Sequence, residues 1–387
     1  MQIFHLRTSR DQVPDLTGSR RIQLGDDHFV PTSMLHIRLP TGLELLAIGN
    51  REGNTLLVTL SDSNTALRQI LADVHEGSVT SMQWIPDYSS SGTDGYLLSV
   101  ARDASYCIQQ CNLVNAITMS VVHRAVLPFG PNIEGIHIRE PDQHLIFWGF
   151  KSKNFIVFDA TAQRELMSVD CGGAHRVWAF NVGHLDVSRE QTDRAATFIW
   201  SKASQMQLIS QSRPIHQEIK QGGHGRELKA SAATSLQGQN GTISLLATGA
   251  EDTDIRLYEV LQPCENGIKL DCITTLYGHN TGLQQLQFSP DGKRLFSCGG
   301  CEEFLVWRIQ QIPFIKVGIR RESTMPLVNQ TSDLRIMSFE VRQSKNPTIS
   351  EPHKEPEFSQ YVIAMALSNS VIRVILSTAA IAHEDLC

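Results

Sequence analysis

Two recurring intervals restrict the folds open to this chain more than any other feature. From His279, Phe288 falls nine residues later and Pro290 eleven; from His75, Trp84 falls nine later and Pro86 eleven. A second interval of 28 residues separates His75 from Asp103 and His224 from Asp252. In both places a short apolar strand ends at the aspartate and another begins just after it. Alternating apolar and polar residues behind each histidine predict a strand, and the proline-led turn ends it. A frame of this kind, repeated far apart in one chain, predicts an array of β-rich units.

The remaining composition fits such an array. Of 387 residues, 41% are hydrophobic and 19% charged, enough for a large core. A net charge of −6 and a pI near 6.2 give no global pull toward nucleic acid, so RNA contact would need a local basic patch or a partner. Met1 to Pro14 lacks the apolar centre of a signal peptide. Tyr361 to Ala382 is apolar enough to test as a membrane span. It carries Asn369 and Arg373 and breaks at Ser368-Asn369-Ser370, which predicts two short strands around a turn. The expectation is a soluble, cytoplasmic protein with no membrane partner. Eight cysteines are scattered, and Cys298-Gly-Gly-Cys301 has no second pair to complete a zinc site. They read as buried thiols in a reducing compartment.

The histidine frame resembles the WD40 repeat, with its Gly-His dipeptide, turn aspartate and closing Trp-Asp. The resemblance implies an all-β, seven-bladed propeller. In such a blade the histidine sits on the loop into the innermost strand and the aspartate caps the turn between the second and third strands. A hydrogen bond between them would pin loop to turn, strengthened by burial. The structural set on this reading is His75 with Asp103, His224 with Asp252, and His279 with Trp307. His279 has no aspartate to match, because Cys301 stands six residues before Trp307. Tyr258 replaces the closing tryptophan after Asp252, Phe158 does so in FIVFDA behind Ser152, and Asn369 replaces the last turn aspartate.

Strand-rich units fall at about 32–73, 78–123, 132–170, 176–220, 226–277, 281–318 and 332–376, making one domain over 1–387. The last is interrupted by a polar loop, 342–360, with three prolines and six charged residues. It supplies three clear strands, so an N-terminal strand, Met1 to Leu6 or Arg21 to Leu24, is expected to close the ring and remove its exposed edges. A linear solenoid is the alternative, and it would need end caps.

Catalytic signatures do not appear. There is no GxSxG elbow, P-loop, HExxH or dinucleotide fingerprint. Glu251, Asp252 and Asp254 share one tight turn and read as turn caps; the histidines have no metal-ligand spacing. No catalytic residue, cofactor, metal or small-molecule substrate is predicted.

Two stretches exceed what the repeat requires, CGGAHRVWAF (Cys171 to Phe180) and GGHGRELKA (Gly222 to Ala230). They set His175, Arg176 and Trp178, and His224, Arg226 and Glu227, at the entry to successive inner strands. An arginine-bearing face beside an aromatic suits phosphate or an acidic partner. The plainer reading makes Trp178 a core residue and leaves the arginines on local backbone. GGAHRVWAF, GGHGRELKA, LLATGAEDTDIRLYEV and LYGHNTGLQQLQFSPDGKRLFSCGGCEEFLVW together look like the WD repeat-containing protein six family, most densely over about 165–310. That resemblance implies a non-catalytic partner of a tRNA wobble 2′-O-ribose methyltransferase, which brings the methyl donor while this chain positions the anticodon loop. Members of that family are typically far longer, with more than one propeller, and the resemblance implies that this chain corresponds to the C-terminal one. The implied partners are the methyltransferase subunit and tRNA. The competing functions are a general WD40 adaptor in a ubiquitin-ligase or trafficking assembly, and a propeller enzyme with residues lining its channel.

Overall fold

GYLLSVA (Gly95–Ala101) and RLFSC (Arg294–Cys298) are buried at every position, as strands covered on both faces must be. Strands at a sheet edge instead alternate, as in Leu228–Gly238, where exposed and half-buried residues take turns. That contrast between central and edge strands repeats along a computed structural model that describes residues 2–7, 15–21, 29–60, 67–87, 94–113, 116–139, 143–183, 196–211, 223–238, 241–264, 267–324, 333–343 and 361–377. Among them there is no helix.

An N-terminal hairpin pairs β1 (Gln2–Arg7) with β2 (Asp15–Arg21). Seven antiparallel sheets of three or four strands follow in chain order. The first holds β3 (Pro31–Arg38), β4 (Glu44–Asn50), β5 (Thr55–Thr59) and β6 (Arg68–Leu71). The second holds β7 (Val79–Pro86), β8 (Gly95–Ala101), β9 (Ser105–Asn112) and β10 (Thr118–Val126). The third holds β11 (Asn132–Arg139), β12 (His144–Lys151), β13 (Asn154–Asp159) and β14 (Arg164–Asp170), and the fourth β15 (Trp178–Asn181), β16 (Ala196–Lys202) and β17 (Gln205–Gln211). The fifth holds β18 (Leu228–Gly238), β19 (Gly241–Ala250), β20 (Ile255–Cys264) and β21 (Gly267–Leu276). The sixth holds β22 (Gln285–Phe288), β23 (Arg294–Cys298), β24 (Phe304–Ile312) and β25 (Lys316–Thr324), and the seventh β26 (Ile336–Gln343), β27 (Tyr361–Leu367) and β28 (Ile372–Ser377). Each sheet is a simple meander, the strand content of a seven-bladed WD40 propeller.

The expected closing strand is a point of difference. Residues 2–6 lie in β1 and pair with β2, not with the seventh sheet, which has three strands among the described residues. Residues 22–24, and 344–360 of the polar loop, lie outside the described residues. Pairing β1 with a neighbour a few residues away closes a far shorter loop than reaching β28 would, and so costs less chain entropy.

Sheets pack face to face through shared cores. These join the first to the second, the second to the third, the third to the fourth, the fifth to the sixth and the sixth to the seventh. Each large apolar side chain sealed in them contributes roughly 1.5–3 kcal/mol. One contact departs from nearest-neighbour packing. The tip of the β24–β25 hairpin enters the core of the second and third sheets, with Ile312 fully buried there and Phe314 edge-on to Tyr96 at 5.3 Å. Beside it β25 runs against β10, and the Ile319 N–H donates to His123 Nδ1 at 3.0 Å. Gly318 permits the approach, since a Cβ there would lie 2.9 Å from the Val122 carbonyl oxygen. A flat ring would hold the outer strands of second and sixth blades apart on its rim, so this contact is an addition to the repeat architecture.

Candidate functional site

The recurring histidines each end in a buried polar network. In the sixth sheet the Trp307 Nε1–H donates to Ser297 Oγ at 3.0 Å, and Ser297 Oγ lies 2.8 Å from His279 Nε2. His279 Nδ1 stands 3.1 Å from Glu303 Oε2. Glu303 also accepts from the Asn280 N–H and the Thr281 hydroxyl, each at 3.1 Å. Glu303 therefore supplies the carboxylate that the sequence frame left missing at Cys301. It stands two residues later in the turn, and its longer side chain makes up the distance.

The second and fifth sheets repeat the arrangement. His75 Nε2 lies 2.8 Å from Ser99 Oγ and Nδ1 2.8 Å from Ser105 Oγ, whose hydroxyl donates to Asp103 at 2.7 Å. Gln109, standing where Trp307 stands in the sixth sheet, donates to Ser99. His224 Nδ1 lies 3.0 Å from Asp252 Oδ1 and Nε2 2.8 Å from Thr248 Oγ1, while the Gly225 N–H donates to Asp252 at 2.8 Å. The three hydroxyls were not singled out from sequence. Their signal is positional: Ser99, Thr248 and Ser297 each precede Gln109, Tyr258 or Trp307 by ten residues. Asp252 also accepts from the Asp254 N–H, the turn-capping geometry, and Asn369 caps Val371 in the same way.

Electrostatics follow from these contacts. Burial opposes charge on His75, but neighbouring Cys107 and Asp103 outweigh it and raise the imidazole to about 9. Burial likewise opposes ionisation of Glu303, and His279 and Asn280 overcome it, holding the carboxyl down at about 2. All three imidazole side chains are almost wholly buried, with both ring nitrogens engaged. Rings sealed this deeply from solvent lie out of hydrogen-bond reach of a substrate, and the arrangement ties loops to strands.

The partner candidates separate into two groups. Trp178 belongs to the core of the third and fourth sheets, edge-on to Phe150 at 5.3 Å. His224 is held in its network. Arg176 is half-buried, its guanidinium folded over Gly172, where a Cβ would meet Nε at 2.6 Å. His175 and Arg226 are exposed, and Glu227 is exposed and paired with Lys229 at 2.9 Å. Among the described residues Arg226 has no ion-pair partner. The two stretches thus present His175, Arg226 and Glu227 outward, with Arg176 at the margin.

A cleft of about 660 Å³ opens beside the β24–β25 tip, lined by Arg164, Arg256, Glu259, Asp271 and Lys316 among others. Lys316 and Glu259 are ion-paired, and the buried Nε atoms of Arg164 and Arg256 find no acceptor among the described residues.

Comparison with known proteins agrees with the repeat geometry. Residues 270–307, which contain His279, Ser297, Glu303 and Trp307, match the family model "WD domain, G-beta repeat". The chain is also similar to the tRNA (34-2′-O)-methyltransferase regulator WDR6 of Pongo abelii and of Homo sapiens. In each case it is 30% identical over 139 residues, covering 35% of this chain and 11% of the relative. It is 34% identical over 98 residues to mouse Echinoderm microtubule-associated protein-like 4, covering 25% of this chain and 9% of that one. The chain matches only a small part of the length of these relatives. The seven sheets have the strand content of a WD40-type propeller, one stretch matches the repeat model, and the similarity to the methyltransferase regulators is partial and distant.

Proposed function

We propose that the chain is a non-catalytic scaffold that supports 2′-O-ribose methylation at the tRNA wobble position by a partner methyltransferase in the cytoplasm. The observation that carries this reading is the similarity to regulators of that enzyme class. The histidine networks are compatible with it, because they assign the chain's most conspicuous side chains to architecture. On this reading the partner supplies the methyl donor and reactive groups, and this chain supplies position, which lowers the barrier without an acid or base of its own. RNA loops are held by stacking and phosphate contacts, so the exposed His175 and Arg226 and the marginal Arg176 are the residues offered to them.

The test is affinity capture of the tagged chain followed by measurement of ribose methylation at the wobble position. Recovery of a ribose methyltransferase, with methylation lowered by Arg176→Ala and Arg226→Ala in a folded protein, supports the proposal. A complex that forms while methylation stays unchanged in those variants removes the site assignment. The similarity to the microtubule-associated protein favours a second reading, a general WD40 adaptor. It expects no methyltransferase in the capture and no change in tRNA.

A further inference from the structure

Sheet register places three arginines in one row. Arg294 on β23 is the direct partner of Arg308 on β24, and Arg308 of Arg320 on β25. Residues directly opposite in adjacent antiparallel strands share a face, with Cβ atoms about 4.5–5.5 Å apart. β25 packs against β10, which carries Arg124 at the outer end of the row. The guanidinium of Arg124 is fixed there by donating to the Asp73 and Val74 carbonyl oxygens.

Among the described residues one carboxylate answers the three arginines of this row. Glu322 takes a bidentate contact from Arg294, at 2.6 and 3.1 Å, and stands 3.7 Å from Arg308. Arg294 is buried and fully engaged, since it also donates to the Tyr361 hydroxyl at 3.2 Å. Arg320 is half-buried and makes no ion pair among the described residues. Burial, followed by the charge of Arg308, disfavours its charged form; Arg294 and Arg124 add to the repulsion, and Glu322 alone opposes it. Like charges placed directly opposite in a sheet are destabilising, yet the row is reachable from solvent, with the Arg308 side chain 39% exposed and Arg124 exposed.

We propose that Arg308, Arg320 and Arg124 form an anion site that takes a phosphate group, with buried Arg294 and half-buried Glu322 as its fixed floor. Guanidinium forks match phosphate oxygens in pairs, and a dianion set among these groups turns mutual repulsion into shared attraction. The site belongs to the sixth sheet and the edge of the second, and it does not rest on the methyltransferase reading. Its ligand is either a free phosphate compound or a phosphodiester backbone.

Binding of pyrophosphate and of a short single-stranded RNA, measured by calorimetry at matched ionic strength, tests the site. Pyrophosphate should bind the wild-type chain and bind Arg308→Gln/Arg320→Gln at least tenfold more weakly. The unliganded double variant should melt no lower than wild type, because repulsion has been relieved. Arg308→Lys/Arg320→Lys, which keeps the charge and loses the fork, should fall between the two. RNA binding lost in parallel assigns a phosphodiester; RNA binding unaffected while pyrophosphate binding is lost assigns a free phosphate compound. Equal pyrophosphate affinity in wild type and the glutamine variant, or no binding to wild type, overturns the proposal.

Discussion

The fourth and sixth sheets begin from similar sequence and end differently. Each opens on a glycine-histidine segment ahead of a strand, GGAHRVW in one and YGHNTG in the other. In the sixth, His279 is buried and bonded at both nitrogens. In the fourth, His175 is exposed and Trp178 turns inward instead, among rings where Phe155 stacks on Phe198 at 3.9 Å and Phe198 on Trp200 at 5.1 Å. The difference lies in what the loop finds beneath it. A serine and a glutamate stand within reach of His279, while the ground under the fourth sheet's loop is aromatic. Polar riveting and aromatic packing therefore hold equivalent positions by different means, and only the second leaves its histidine free for contact.

The largest expected effect comes from the aromatic side. Phe198→Ala should cost about 3–5 kcal/mol in denaturant unfolding, the range for a fully buried ring; a loss under about 1 kcal/mol would mean the stack does not hold the fourth sheet. Next, His279→Ala should cost roughly 1–3 kcal/mol by stranding Glu303 and Ser297. His175→Ala should stay within about 0.5 kcal/mol, as a surface change does. The His279→Ala/Glu303→Ala double variant should lose less than the sum of the singles, because the residues form one network.

The pH response sharpens the contrast further. His75 is raised from 6.5 to about 9, so its contribution is complete below pH 6.5 and fades as pH rises through 9. Glu303 is depressed from 4.5 to about 2, so its contribution is complete above pH 4.5 and is lost as pH falls through 2. His123, wholly buried between Tyr106 and β25, is lowered to about 4, because burial disfavours its charge. Its contribution is complete above pH 6.5 and is lost as pH falls through 4. Melting across pH should show Asp103→Asn flattening the alkaline limb and Glu303→Gln the acid one. Smallest of all, Arg226→Ala should leave the melting temperature unchanged.

The repeat frame was readable because it depends on spacing: a histidine, a strand, a turn and a closing aromatic keep their intervals when residue types drift. The second-strand hydroxyls were not, since Ser99, Thr248 and Ser297 look like any polar residue in a strand until the fold sets a histidine against them. Glu303 was hidden for a related reason. A longer acid two positions on reaches the place where the frame expected an aspartate. The meeting of β10 with β25 has no local signature at all. Gly318 and His123 carry it, and their separation along the chain hides their contact. Of the partner candidates, only the structure divides exposed Arg226 from buried His224, although both lie in one five-residue string.

On the proposed reading the imidazoles hold the fold while Arg226 and the half-buried Arg176 engage the partner. Wobble-ribose methylation by the partner enzyme, with this chain supplied as wild type, His279→Ala or Arg176→Ala/Arg226→Ala below each variant's melting temperature, tests it most directly. Full support from the folded histidine variant and reduced support from the arginine pair are expected. A folded His279→Ala chain that fails to support methylation, beside an arginine variant that supports it fully, would contradict it.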